Sequence, residues 1–354
     1  MPTELLSRDL VHTVDAIELP PLGSAVEGCS ERRDSYPIFV TRSPDDTVER
    51  LLQLVGDAKV ALITDTTVAK LYGPLVIGAL RKAGIDTEVA AVPAGERNKT
   101  LRQAGELLDW LTGTQIGRRD VIVLLGGGVV IDMGGFVASS YMRGVPYLNL
   151  ATSLIGQVDA GIGGKLAVNH PTAKNLLGSF WQPLGVISDV SFLRTLDPRQ
   201  LRAGLAECIK KAIIASPAYW DLIERDAEAI IGGDAVALEA LVHGAGAIKA
   251  ELIERDPYEL DSRRTLGFGH ALAHPLETVT SYTALLHGEA VAFGMAVEVQ
   301  IAAARGLLAA TERIRLIRGG GYRFVLPIDL GETVISDDVT PGELRAALRR
   351  CGIP

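Results

Sequence analysis

Three short apolar runs punctuate the first half of the chain, and each stops at a turn signal: KVALITD (Lys59 to Asp65), TEVAAVPAG (Thr87 to Gly95) and RDVIVLLGGG (Arg119 to Gly128). A continuous apolar run of this length, closed by Gly, Pro or Asp, reads as a strand buried on both faces. The segments between the runs read as helices. From Ser35 to about Leu196 the alternation therefore predicts βαβ units on a mostly parallel sheet.

After FLRTLDPRQLRAGLAE (Phe192 to Glu207) the texture changes to long Ala-, Leu-, Ile- and Glu-rich periodic segments with few strand signals. A chain of 354 residues exceeds what one core usually holds, so two domains are expected. We read an N-terminal extension over 1–34, where LPPLG interrupts any periodicity. An α/β nucleotide-binding domain follows over 35–197, and an α-helical domain over 198–354. The last part, GYRFVLPIDLG then TPGELRAALRRCG, predicts a short strand and a closing helix with a Thr cap and a Gly stop.

Composition narrows the function. Apolar residues at 47% and charged residues at 22% describe a folded globular protein, and a net charge of −8 argues against nucleic acid as a partner. Cys29, Cys208 and Cys351 form no CxxC pair, which suits a reducing compartment, and we expect a cytoplasmic protein. No apolar run reaches the roughly 18 residues of a membrane span, and no secretory leader is expected.

The candidate chemistry begins at VIVLLGGGVVIDMGGF, where Gly126, Gly127 and Gly128 join an apolar strand to a helix. Such a turn lets the backbone approach a pyrophosphate while the helix N-terminus offers N–H donors, although a bare tight turn has the same look. Asp132 lies four residues on, and PAGERNK sets Glu96 and Lys99 at the end of an earlier strand. ATSLIGQVDAGIGGKLAVNHPTAKN then brings Thr152, Ser153, Asp159, Lys165, Lys174 and Asn175 into one glycine-broken stretch. Its lysines and asparagine suit an anion clamp, or are solvated surface groups.

Farther on, FGHALAHPLETVTSYTALLHGEAVAFG (Phe268 to Gly294) holds three of the six histidines, His270, His274 and His287, with Glu289 close by. His270 and His274 are four apart and share a helix face. RAGLAECIKKAII adds Glu207 and Lys210. Two imidazoles and a carboxylate with an open position are the usual make-up of a catalytic zinc site, whereas a lone buried His is more often a core residue. Lys249 and Arg263, upstream of His270, are either surface ion pairs or the cationic end of a pocket.

Together these residues resemble the sugar phosphate cyclases, the superfamily of 3-dehydroquinate synthase. The motifs GERNK, GGGVVIDMGGFVASSYMRG, QVDAGIGGKLAVNHPTAKN, RAGLAECIK, GFGHALAH and LLHGEAVAFGM carry the resemblance, in the family's order, from Ser35 to the C-terminus. It implies Glu207, His270 and His287 as ligands of a divalent metal, Zn2+ or Co2+. It implies Asp65, Glu96, Lys99, Gly127, Gly128, Asp132, Thr152 and Ser153 as NAD contacts, with Lys174 between the cofactor and the substrate. Asp159, Lys165, Asn175, Lys210, Lys249, Arg263 and His274 are the implied substrate contacts. Arg143 resembles an arginine that reaches a neighbouring subunit's phosphate site, which implies a homodimer. The implied reaction runs through oxidation by bound NAD, β-elimination of phosphate, return of the hydride, ring opening and intramolecular aldol closure.

Which sugar phosphate is used rests on a few departures. Lys249, Arg263 and GGKLAVNHPTAKNLLGSFWQP are similar to dehydroquinate synthases, whose substrate is acidic. Gly267 stands where those enzymes carry Asn and valiolone-type synthases carry Asp, and Pro275 resembles the valiolone-type pattern. A family DKK before the last strand is missing, with Arg313, Arg315 and Arg318 nearby, and the stretch before GYRFVLP is shorter than the family's. The leading expectation is a cyclase that converts sedoheptulose 7-phosphate to a valiolone-type C7-cyclitol. The alternative is 3-dehydroquinate synthase acting on 3-deoxy-arabino-heptulosonate 7-phosphate. A metal-dependent alcohol dehydrogenase of the glycerol dehydrogenase fold, or a non-catalytic binding protein, are more distant readings.

Overall fold

The computed structural model describes residues 35–171, 173–259, 262–307, 324–329, 332–336 and 339–352. The expected extension over 1–34, Arg313, Arg315 and Arg318, and the side chain of Arg263 lie outside the described residues.

The α/β part is built from β1 (Ile38–Thr41), α1 (Pro44–Val55), β2 (Val60–Asp65), α2 (Val68–Leu71), α3 (Gly73–Lys82), β3 (Thr87–Val92), α4 (Leu101–Gly113), β4 (Val121–Gly126), α5 (Gly128–Ser140) and β5 (Tyr147–Ala151). After a hairpin of β6 (Lys165–His170) and β7 (Ala173–Phe180), β8 (Gly185–Asp189) closes this part. Six strands form one parallel sheet in the order β1-β8-β5-β4-β2-β3. Every residue of β4 is buried, because helices cover both faces of the sheet. The three apolar runs thus become β2, β3 and β4, as their patterning predicts.

The β6–β7 hairpin was not legible in the sequence. It is antiparallel, pairs Lys165 with Phe180, and seats Leu166 and Val168 in the core against α5. Its exposed positions mix the polar Asn175 with Gly178 and the apolar Leu176 and Phe180, so no clean inward/outward alternation marks β7, and the stretch reads as a loop until the α/β elements give Leu166 and Val168 something to pack on.

The helical part starts where Asp197 accepts the Arg199 N–H ahead of α6 (Pro198–Ala215), with Pro198 in the first turn. It continues through α7 (Pro217–Arg225), α8 (Ala227–Gly232), α9 (Ala235–Arg255), a 3-10 turn (Ser262–Gly267), α10 (His270–Val279) and α11 (His287–Ala304). A second antiparallel hairpin, β9 (Phe324–Asp329) with β10 (Glu332–Ser336), precedes α12 (Pro341–Arg350). The expected Thr cap is Thr340, and the Gly stop is Gly352, with φ of 84°. β10 is an addition to the expected single strand.

Leu154 and Val158 from the turn after β5 share a core with Cys208, Ala212, Leu241 and Val242 of α6 and α9. That shared core fixes the helical part over the carboxyl edge of the parallel sheet.

Candidate active site

Strand ends and helix starts meet at that edge, around a cavity of about 1000 Å3. Asp65, Glu96, Lys99, Gly127, Gly128, Asp132, Thr152, Ser153, Asp159, Lys165, Lys174, Asn175, Lys249, His270, His274 and His287 all line it. Glu207 and Lys210 stand behind this wall, at 0% and 1% exposure. Residues more than 200 positions apart in sequence are therefore neighbours. Arg143 lies away from this wall, exposed and at φ 67° in the turn Tyr141–Arg143.

At one end α5 follows Gly127 with no side chain capping it, and Gly127 to Val130 line the cavity, so the first N–H groups there have no capping side chain. An uncapped helix start at a glycine turn fits a pyrophosphate. Below it Lys99, 2% exposed, pairs with Asp132, donates to Asn175 Oδ1 at 2.6 Å and lies 3.8 Å from Glu96. Burial alone would lower the Lys99 pKa, but Asp132 and then Glu96 raise it, so the ammonium is kept. Burial likewise tends to raise the Glu96 pKa, and Lys99 and Lys174 bring it below the usual range. Asp132 stays raised, because burial outweighs its lysine.

At the other end α6 carries Glu207, Lys210 and Lys211 at i, i+3 and i+4, on one face. Glu207 Oε1 is buried, accepts no hydrogen bond, and lies 3.8 Å from His270 Nε2 and 3.7 Å from His287 Nε2. Lys210 Nζ meets Oε2 at 2.5 Å and Lys211 at 3.7 Å, as charge contacts. Three ligands at about 2.1 Å from a tetrahedral zinc would stand roughly 3.4 Å apart, close to these separations. A second set, His274, Glu277 and His287, also has ligand atoms within 4.8 Å of one another.

The ring nitrogens favour the first set. His270 Nδ1 lies 3.1 Å from the Phe268 carbonyl and His287 Nδ1 lies 2.9 Å from Glu277 Oε2, so both rings donate from Nδ1 and turn an Nε2 lone pair toward Glu207. The orphaned Glu207 oxygen and two aimed lone pairs fit a divalent cation. Burial, then Lys210 and the neighbouring imidazoles, hold the His270 pKa well below its ordinary value, and His274 is pushed down to about 4 by burial, His287 and Lys174.

Charge pairs continue past the histidines. Asp159 Oδ1 accepts from Lys249 at 2.6 Å and from Lys211 at 3.3 Å. Burial would raise the Asp159 pKa, but Lys249, Lys211 and Lys210 hold it well below the usual carboxylate range. Lys165 pairs with Glu259 at the cavity wall.

Four of these groups escaped the sequence reading. Glu277 sits seven residues after His270, on the face that His270 and His274 share, and that spacing was the available signal. Lys211 is completely buried beside the expected Lys210, Glu259 looks like any loop carboxylate, and Asn169 Nδ2 donates to Glu96 while its Oδ1 accepts the Asn175 N–H. Glu289, which stood beside His287 in the sequence, instead accepts the Leu286 N–H at 2.9 Å and grips Arg199 with both oxygens. It caps α11.

Comparison with known proteins agrees with this architecture. The 3-dehydroquinate synthase N-terminal family matches residues 89–203, and the 3-dehydroquinate synthase C-terminal family matches residues 204–338. A 2-epi-valiolone synthase of Actinosynnema mirum is 48% identical, covering 95% of this chain and 97% of its own. A 3-dehydroquinate synthase of Desulforamulus reducens is 43% identical over 86% of each chain. Among solved structures, the 2-epi-5-epi-valiolone synthase of Streptomyces hygroscopicus subsp. jinggangensis, with NAD+ and Zn2+ bound, has a TM-score of 0.84 and 27% identity, covering 92% of this chain and 99% of its own. With residues 89–338 matched by the two family models and the site assembled at the sheet's carboxyl edge, the chain belongs to the 3-dehydroquinate synthase family of sugar phosphate cyclases.

Proposed function

We propose that this chain is an NAD- and divalent-metal-dependent cyclase that converts sedoheptulose 7-phosphate to a valiolone-type C7-cyclitol, with loss of phosphate. The observation that carries the catalytic reading is the convergence of Glu207, His270 and His287 on one another at the wall of a cavity that the uncapped start of α5 also lines. The neutral substrate rests on the 48% identity to the 2-epi-valiolone synthase.

Glu207, His270 and His287 would hold Zn2+ or Co2+. Gly127, Gly128, Asp132, Thr152 and Ser153, with Asp65, Glu96, Lys99 and Lys174, would hold the dinucleotide. When bound, NAD accepts and returns a hydride and the metal acts as a Lewis acid toward a hydroxyl. The chain's own contribution is orientation and field. Lys165, Lys174 and Asn175 form the cationic and hydrogen-bonding wall against which a leaving phosphate is stabilised. Asp159, held ionised by its lysines, is available to accept from a sugar hydroxyl. His274, with its pKa at about 4, is neutral near pH 7 and can donate or accept a hydrogen bond without bringing a charge. The domains in this reading are 35–197 for the cofactor and 198–354 for metal and substrate. Arg143 would serve the partner's phosphate site in a homodimer, in the cytoplasm.

Two features support a neutral sugar. Lys249, a cation suited to a carboxylate, already donates to the Asp159 carbonyl and carboxylate at 2.6 Å each. Gly267 brings no hydrogen-bonding side chain where dehydroquinate synthases carry Asn, and a Cβ built there meets nothing within 4 Å among the described residues. The second reading, 3-dehydroquinate synthase, is favoured by the 43% identity to the Desulforamulus reducens enzyme.

The test is phosphate release with NAD+ and Zn2+ or Co2+ on sedoheptulose 7-phosphate and, in parallel, on 3-deoxy-arabino-heptulosonate 7-phosphate, with products identified by mass spectrometry. Release from the neutral sugar with a C7-cyclitol product is expected. Release from the acidic sugar alone would replace this reading with the second.

A further inference from the structure

We infer that Glu277 is a positioning residue that builds the metal centre and the anion clamp as one unit, an inference that rests on the metal reading above. Glu277 is 2% exposed on α10, and its two carboxylate oxygens face different elements. Oε2 accepts from His287 Nδ1 on α11 at 2.9 Å, and Oε1 is paired with Lys174 Nζ on β7, itself 5% exposed on its side chain. Lys174 Nζ is also 3.3 Å from His287 Nδ1. One carboxylate thereby joins a ligand ring, a cavity lysine and the hairpin that was invisible in the sequence.

Each link has a separate physical consequence. A carboxylate acceptor at Nδ1 fixes the ring's tautomer and rotation, leaving Nε2 as a lone pair aimed at the Glu207 side, and makes the imidazole a better ligand. The ion pair with Lys174 keeps a nearly buried ammonium at a defined point on the cavity wall. His270 Nδ1 is instead held by a main-chain acceptor, the Phe268 carbonyl, at 3.1 Å. Loss of Glu277 should therefore weaken metal binding and anion binding together, although Glu277 itself is no ligand.

The experiment is a Co2+ titration of the metal-free, full-length protein followed by visible absorption, on wild type, Glu277→Gln and Glu277→Asp, with KM for sedoheptulose 7-phosphate measured on each metal-loaded protein. Glu277→Gln is expected to bind Co2+ about 10- to 100-fold more weakly, with an altered band and a raised KM, and Glu277→Asp to recover part of both. A folded Glu277→Gln protein with wild-type Co2+ affinity, band and KM would overturn the inference and leave the metal reading intact. A wild-type protein that binds no Co2+ would overturn both. Should Glu277→Gln not fold, nitrogen-15 histidine spectra of the Zn2+-loaded wild type decide: a slowly exchanging Nδ1 proton on His287 is expected, and an Nε2-protonated His287 would overturn the inference.

Discussion

Gly294 places the backbone of α11 against the turn that leads into His270. A Cβ built there would stand 2.0 Å from the Gly269 carbonyl oxygen and 2.8 Å from its carbon. Both are main-chain atoms, so no rotamer can relieve the clash. Gly269 sits at φ 81° and donates its N–H to Glu298 Oε2 of the same helix at 3.0 Å, which pins the turn from the other side. For Gly294→Ala, better helix propensity contributes about 1 kcal/mol in favour. Forcing the two backbones apart by roughly 1 Å costs about 1–3 kcal/mol, at the upper end because nothing flexible can yield. The expected net loss is of the order of 2 kcal/mol, with His270 displaced from Glu207. Gly105→Ala in α4 is the control: its built Cβ meets nothing within 4 Å, so it should gain up to about 1 kcal/mol. The assays are urea denaturation and Co2+ titration of both variants. A Gly294→Ala protein as stable as Gly105→Ala, binding Co2+ like the wild type, would refute the close-packing account of the His270 turn.

Thr340→Ala removes a reciprocal cap, in which Thr340 accepts the Glu343 N–H at 3.2 Å and Glu343 accepts the Thr340 N–H at 2.8 Å. It should cost about 1 kcal/mol in urea denaturation, and an unchanged midpoint would contradict it. For His274, the folded pKa of about 4 lies below the ordinary 6.5, so the metal-free folded chain binds fewer protons than the unfolded chain between those values. Its contribution to stability is complete above pH 6.5 and declines as the pH falls toward 4. His274→Gln should flatten the stability profile of the metal-free protein in that window, and parallel profiles for variant and wild type would contradict the shift.

The parallel sheet was readable because burial on both faces forces continuous apolar runs, and three such runs became β2, β3 and β4. The start of α6 was readable because Asp197 and Pro198 carry the local chemistry of a helix N-terminus. The β6–β7 hairpin and β10 were not, although β9 falls in the expected short strand, since antiparallel strands of mixed polarity owe their pairing to what covers one face. Among the described residues, no helix is long and apolar enough to cross a membrane, in keeping with the absence of a long apolar run.

The site divides along the same line. Residue identity and local spacing sufficed to nominate Glu207, His270, His274 and His287, because imidazoles and carboxylates in an apolar context are costly unless they are used. They could not say which nitrogen faces which oxygen, that Glu277 orients His287 while holding Lys174, or that Lys211 lies buried between Asp159 and Glu207. Those relations join α6, α10, α11, β7 and the turn after β5. They arise only when the packed core brings together groups that are remote along the chain, because hydrogen bonds and ion pairs depend on distance and direction in space.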